Sequence, residues 1–203
     1  MSHEILLALA AFAFVSSITP GPNNLMLMTS GANFGLRRTV PHSLGVALGF
    51  CLMIFLLGLG AARLFQTVPQ AWTVLKVLSI LYMVWLAWKM LHAAAPGSVA
   101  SARAKPFTFV QAAAFQWVNP KAWAMALTAI SAYLPLPGVL GVLLMVVIFG
   151  VINLLSVNVW VVMGMGMARF LADPRRLRIF NGVMAVLLLA SLAPVLLGGA
   201  PAP

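Results

Sequence analysis

The stretch ITPGPNNLML, residues 18–27, sets two prolines, a glycine and two asparagines inside one of the most apolar segments of a 203-residue chain. Proline has no N–H to bond the carbonyl four residues back, and its ring clashes with that carbonyl. Two prolines and a glycine within one turn therefore unwind a helix rather than bend it. The flanks on both sides read as membrane helix, so the interruption asks for a reason.

Composition supports the membrane reading. Sixty-three per cent of the residues are hydrophobic and 7% are charged, which leaves too little polar surface to coat a water-soluble globule. The net charge of +10 would suit a nucleic-acid partner if the cations shared one face of a polar body. Here they stand singly or in short groups between apolar runs, the pattern of cytoplasmic loops, and no nucleic-acid partner is expected. A single cysteine, Cys51, excludes an internal disulfide; within an apolar run it reads as a small packing residue. The N-terminal apolar stretch is preceded by Glu4 and by no Lys or Arg, so it is expected to be a retained first span rather than a secretory signal.

A helix needs about 20 apolar residues to cross the hydrocarbon core. Six stretches reach that length: Glu4–Phe34, Pro41–Leu64, Pro69–Leu91, Phe107–Tyr133, Gly138–Met167 and Leu177–Leu197. The predicted fold is thus an all-α integral membrane protein of six transmembrane helices, one transmembrane domain over residues 1–203. The loops after the first, third and fifth spans hold Arg37 and Arg38, then Lys89, Arg103 and Lys105, then Arg169, Arg175, Arg176 and Arg178; the other loops offer only Arg63. The basic loops are expected on the cytoplasmic side and both termini on the periplasmic side. Trp72 and Lys76, and at the other end of the third span Trp85, Trp88 and Lys89, read as interfacial anchors.

The chain also repeats itself. Pro22 is followed about two dozen residues later by LGVALG (44–49), and Pro120 at nearly the same distance by LGVLL (140–144). Each half, about 1–95 and 104–203, carries three spans. Three is odd, so the second copy enters from the opposite side, an inverted-topology repeat of the kind found in secondary transporters.

The predicted first and fourth spans both break near the bilayer midplane. The first is about 45 Å long as a helix, with its midpoint at residues 19–21; the fourth has its midpoint at Pro120, inside FQWVNPKAW (115–123). Unwound backbone at that depth is tolerated only where protein or water satisfies the freed carbonyls. Asn23 and Asn24 after the first break, and Gln116 and Asn119 before the second, bring amide groups to those points. The candidate substrate-binding residues are therefore Thr19, Pro20, Gly21, Pro22, Asn23, Asn24, Gln116, Asn119, Pro120 and Lys121, with Asn153 and Asn158 of the fifth span serving either substrate contact or interhelical bonding. Lys121 is a cation near the midplane, and the two acids of the chain, Glu4 and Asp173, are predicted outside the hydrocarbon core. The expectation is that its anion arrives with the cargo as an amino-acid carboxylate, held also by the N–H groups of a half-helix.

Other features read as structure. Gly45 and Gly49 form a small-xxx-small pair suited to close helix packing. His42 falls at the cytoplasmic edge of the second span, an interfacial position, and the twelve methionines suit adaptable packing rather than a metal. No cofactor or metal site is expected.

TPGPNNLMLMTSGANFGLRRTV (19–40) resembles the N-terminal signature of the LysE/RhtB family of amino-acid exporters, Gly-Pro-Asn-x-Leu followed by Gly-x-Arg; here these are Gly21, Pro22, Asn23, Leu25, Gly35 and Arg37. YMVWLAWKM (82–90) and AKPFTFVQAAAFQWVNPKAW (104–123) are similar to its third- and fourth-span motifs. The resemblance implies a bacterial inner-membrane exporter of amino acids or close derivatives, with residues 19–24 and 119–121 lining the path. VWLAWK and AKP look most like members that export cysteine and O-acetylserine. Thr39 in place of a second glycine, and the absence of Phe-Phe and Pro-Gln-Phe after the fourth break, point away from lysine and homoserine and toward a small neutral or polar cargo.

A competing class, an intramembrane enzyme, lacks its chemistry: His3, His42 and His92 lie near predicted span ends, no carboxylate pair exists, and Ser16 and Ser17 have no neighbouring base. A non-transporting membrane scaffold remains the other alternative. A homodimer stays open alongside a monomer.

Overall fold

The computed structural model describes residues 3–61, 69–92, 105–190 and 192, and its regular elements there are all helical. Arg63 and Arg103, the far ends of the second and sixth predicted spans, and the side chain of Trp72 lie outside the described residues. The α-helices are α1 (His3–Ile18), α2 (Pro22–Gly58), α3 (Pro69–Leu91), α4 (Phe109–Phe115), α5 (Pro120–Tyr133), α6 (Gly138–Met167) and α7 (Pro174–Ala190), with 3-10 turns at Gln116–Val118 and Phe170–Ala172. As they stand, α2 and α6 are long and apolar enough to cross a membrane, and α1 is a shorter apolar helix.

α2 is not one rod. At Gly35 the backbone takes φ 73° and ψ 175°, a left-handed conformation that glycine adopts without a Cβ clash. In a straight helix Ser30 and Thr39 would stand about 13 Å apart; their hydroxyls are 2.9 Å apart, so the chain folds back on itself there. Thr39 Oγ1 donates to the Gly35 carbonyl at 2.8 Å and holds the bend. The first predicted span therefore corresponds to α1 plus residues 22–34, and the second to residues 36–58. Sequence periodicity placed a short loop over 35–40; a single glycine does its work. Pro41 lies inside the second limb, six residues past the bend, and leaves the Arg37 carbonyl without its helical N–H donor.

Ends elsewhere follow local capping. α4 opens on a capping box, with Gln111 N donating to Thr108 Oγ1 at 3.2 Å and Thr108 N to Gln111 Oε1 at 3.0 Å. α7 begins at Pro174, three residues before the expected Leu177, because Asp173 Oδ1 accepts from Arg175 N at 2.8 Å and so caps a turn that hydropathy alone reads as loop.

α6 runs along both α1 and α2, α4 packs on the second limb of α2, and α3 pairs with α7. Glycine lets these backbones touch: a Cβ on Gly49 would lie 2.6 Å from Ala113 Cα, which bears out the close-packing reading of Gly45 and Gly49. Two apolar clusters bracket the middle. One joins Leu9, Ala13, Phe50, Trp123, Met145 and Phe149 at the cation-poor end; the other joins Met28, Ala32, Leu171 and Phe180 at the end where the arginines gather. The outside is apolar too, with Leu7, Val110, Leu155 and Val186 all more than 60% exposed, the coat of a protein solvated by lipid. Lys89 Nζ lies 4.6 Å from the centroid of the exposed Trp85 ring, as an interfacial anchor pair would.

Candidate functional site

Both predicted breaks are present. α1 stops at Ile18 and α2 starts at Pro22; the 3-10 turn ends at Val118 and α5 starts at Pro120, with Asn119 extended between them. Each break frees carbonyls at the end of one helix and opens the N-terminus of the next. Side chains satisfy those carbonyls one by one.

At the first break Asn24 Nδ2 donates to Ser17 O and to Thr19 O, both at 2.8 Å. Trp160 Nε1, from α6, donates to Ile18 O at 3.1 Å. Lys121 Nζ donates to Thr19 O at 2.7 Å, to Thr19 Oγ1 at 2.9 Å and to Pro20 O at 3.3 Å. The ammonium thus sits on the negative end of the α1 dipole while its own backbone belongs to the first turn of α5. Its partners are carbonyls and a hydroxyl of the opposite break, and no acidic side chain is involved. An added Cβ on Gly21 would meet Lys121 Cδ at 2.7 Å and Nζ at 3.1 Å, so glycine is what lets the lysine lie across the break.

At the second break Gln116 Nε2 donates back to Ala112 O at 2.9 Å, Trp123 Nε1 to Trp117 O at 2.9 Å, and Asn119 Oδ1 accepts from Lys121 N at 3.1 Å as an N-cap. The two breaks are tied directly. Asn23 Nδ2 donates to Gln116 Oε1 at 2.8 Å, and Gln116 Nε2 to Asn23 Oδ1 at 3.1 Å, a reciprocal amide pair between residues 93 apart in sequence. A double-mutant cycle with Asn23→Val and Gln116→Leu, read by thermal unfolding in detergent, is expected to give a coupling of about 1 kcal/mol, the usual scale for interhelical bonds in membranes. Additive effects would show that the amides do not hold the breaks together.

These groups enclose a cavity of about 30 Å³ lined by Ser16, Ser17, Gly21, Asn23, Asn24, Phe50, Gln116, Asn119, Lys121, Ala122, Met125, Asn153 and Val157. That volume suits ordered water and is too small for an amino acid. Of the residues expected from sequence, Gly21, Asn23, Asn24, Gln116, Asn119, Lys121 and Asn153 line it. Thr19 and Pro20 join through their bonds to Lys121, and Pro22 and Pro120 start the two helices beside it. Asn158 is not brought there; its amide donates to Leu154 O of its own helix at 2.7 Å.

Sequence reasoning did not single out Ser17 or Trp160 for the site. The Ser17 hydroxyl is buried on the cavity wall with no hydrogen-bond partner. Trp160 could have been found from its position well inside a span rather than at an interface, where an indole N–H needs a buried acceptor. Among the described residues no cluster of His, Cys, Asp or Glu could hold a metal.

A polar cavity built on two interrupted, mutually bonded helices inside an apolar-coated helical bundle defines a class, the helical membrane transporters. The match is to a particular family: the description LysE type translocator fits residues 14–197. The chain belongs to the LysE family, and it is a transporter rather than an enzyme. It is 32% identical over 133 residues to the cysteine/O-acetylserine efflux proteins of Escherichia coli (strain K12) and of Shigella sonnei (strain Ss046), covering 66% of this chain and 67% of each relative. The protein of the same name in Escherichia coli O6:K15:H31 (strain 536 / UPEC) is 31% identical over the same length. No solved structure matches the chain.

Proposed function

We propose that this protein is a secondary exporter of amino acids or close derivatives in the bacterial inner membrane, with a small neutral or polar cargo of the cysteine or O-acetylserine type. The observation that carries the reading is the placement of Lys121 across the break of the opposite half, with its donors on the Thr19 and Pro20 carbonyls. A cargo carboxylate is a better acceptor than a neutral carbonyl. On binding it takes Lys121 from the end of α1, and the N-termini of α2 and α5 add their N–H dipoles to the anion. The cargo's cysteine-like identity is supported by the names of the relatives and by the resemblance of VWLAWK and AKP.

Alternating access follows from an inverted repeat of two three-span halves. Supporting it, α1 packs on α6 as α4 packs on the second limb of α2, and α3 pairs with α7; each contact has its counterpart when the halves are exchanged. At the cation-poor end Phe12 stacks on Tyr133 with centroids 5.0 Å apart, and Phe149 meets Phe12 and Phe50 edge to face, an aromatic layer beside the cavity. This layer supports reading the conformation as closed toward the periplasm, with the termini facing outward and the basic end facing the cytoplasm.

Counterflow in proteoliposomes with a panel of labelled amino acids tests the function. Cysteine and O-acetylserine are expected to exchange, while lysine and homoserine exchange at least about tenfold more slowly, the penalty for leaving one polar group unpaired in the site. Exchange by no member of the panel would remove the transporter assignment of cargo.

A further inference from the structure

A second cavity, of about 330 Å³, lies between α2, α3 and the start of α4. Its volume is within the range of small-molecule sites, about 300–1,000 Å³. Its wall holds His42, Lys89, His92 and Lys105 among apolar and hydroxyl-bearing side chains, and neither acid of the chain lines it. His42 is 1% exposed, stacks on Phe107 with ring centroids 5.3 Å apart, and has no hydrogen-bond partner at either ring nitrogen. Because the chain folds back at Gly35 with no loop, His42 packs inside the bundle at the basic edge instead of facing outward from it. A buried polar group left unpaired is costly, and a native structure keeps one where something else completes it.

We propose that this cavity is a capture site for the zwitterion of a small amino acid on its way to the helix breaks. The inference rests on the exporter reading and adds a second binding site to it. A neutral imidazole offers one donor and one lone pair; both nitrogens are closed off in this conformation, so a turn of the ring against Phe107 lets His42 accept from the cargo ammonium or donate to its polar side chain. Lys89 and Lys105 at the rim receive the carboxylate, and Met26, Leu86 and Met90 take the apolar part. The route onward is short. Met26, Thr29, Ser30 and Asn33 of the cavity wall lie on the same limb of α2 whose first turn carries Asn23, about 10 Å away along the helix. The aromatic layer lies at the opposite end of the bundle, so on the exporter reading a cargo reaching the breaks in this conformation arrives from the basic end.

The test uses inside-out membrane vesicles, with O-acetylserine as the probe. An Asn33→Cys variant in a Cys51→Ala background is labelled with an impermeant maleimide, and O-acetylserine is expected to slow labelling. Adding His42→Phe, which keeps the ring stack and removes both nitrogens, is expected to raise the protecting concentration and the KM for export about tenfold, as loss of a hydrogen bond to a charged group would, with the maximal rate unchanged. His42→Gln restores a donor and an acceptor and is expected to stay within about threefold of the parent. Should His42→Phe not fold, Lys89→Gln with Lys105→Gln carries the same protection test at the rim. Normal export with no protection, or with protection unchanged by these variants, overturns the capture site and leaves the exporter reading standing. No exchange by the unmodified protein in counterflow overturns that reading, and the cargo assigned to this cavity goes with it.

Discussion

Lys121→Met is expected to cut exchange about a hundredfold and to loosen the protein. The ammonium makes three hydrogen bonds to the first break, two of them to carbonyls that have no helical partner. Bonds to a charged group are worth about 1.5–3 kcal/mol each, less where they are exposed as here; without Lys121 the Thr19 carbonyl keeps its Asn24 donor and the Pro20 carbonyl loses its side-chain donor. Removing the donor also removes the one cation on the cavity wall that a carboxylate could reach. Counterflow is expected to fall by about two orders of magnitude, equivalent to about 2.7 kcal/mol, together with a lower melting temperature in detergent. Lys121→Arg separates the two roles. Its planar fork still reaches carbonyls but is bulkier against Gly21, so it is expected to recover most of the melting temperature and only part of the exchange. Unchanged exchange by the Met variant would remove the carboxylate role altogether.

The second large effect is steric and lies away from the cavity. A Cβ on Gly31 would fall inside the van der Waals envelope of the Val161 carbonyl, and one on Gly164 inside that of the Met28 carbonyl. The two glycines face each other's helices across one crossing of α2 and α6, and the obstacles are backbone atoms that no rotamer change moves aside. Gly164→Val is expected to cost about 3 kcal/mol, the upper end of ordinary overpacking, and to lower the melting temperature by about 10 °C. Gly166 and Gly182 provide the control. Nothing lies within 4 Å of an added Cβ at either, so Gly166→Ala and Gly182→Ala are expected to leave the melting temperature unchanged or raise it. Equal losses at all four positions would show that helix propensity, and not the close crossing, sets the result.

Much of the site was readable because proline chemistry is local. TPGPNN and NPK each remove helix hydrogen bonds whatever surrounds them, and the structure breaks at both. Gly35 was readable as part of a motif, but its use as a one-residue fold-back was not: hydropathy sees an interruption of six residues, while the backbone turns at one. The start of α7 was missed for the opposite reason, since Arg175 and Arg176 look like loop until Asp173 is seen to cap them.

What residue order by itself determined is the set of helices, their interruptions and the family motifs, because backbone chemistry, apolar run length and cation placement act within a few residues of themselves. What only the tertiary structure decided is who satisfies whom. Lys121 looked as though it lacked a partner when partners were sought among acids, and the fold gives it the carbonyls of a helix end 102 residues away. His42 looked interfacial, and the fold buries it without a partner. Pairings of that kind depend on which helix ends meet in space, and the energy of an unsatisfied polar group in a lipid-like interior is set by that meeting rather than by any neighbour in sequence.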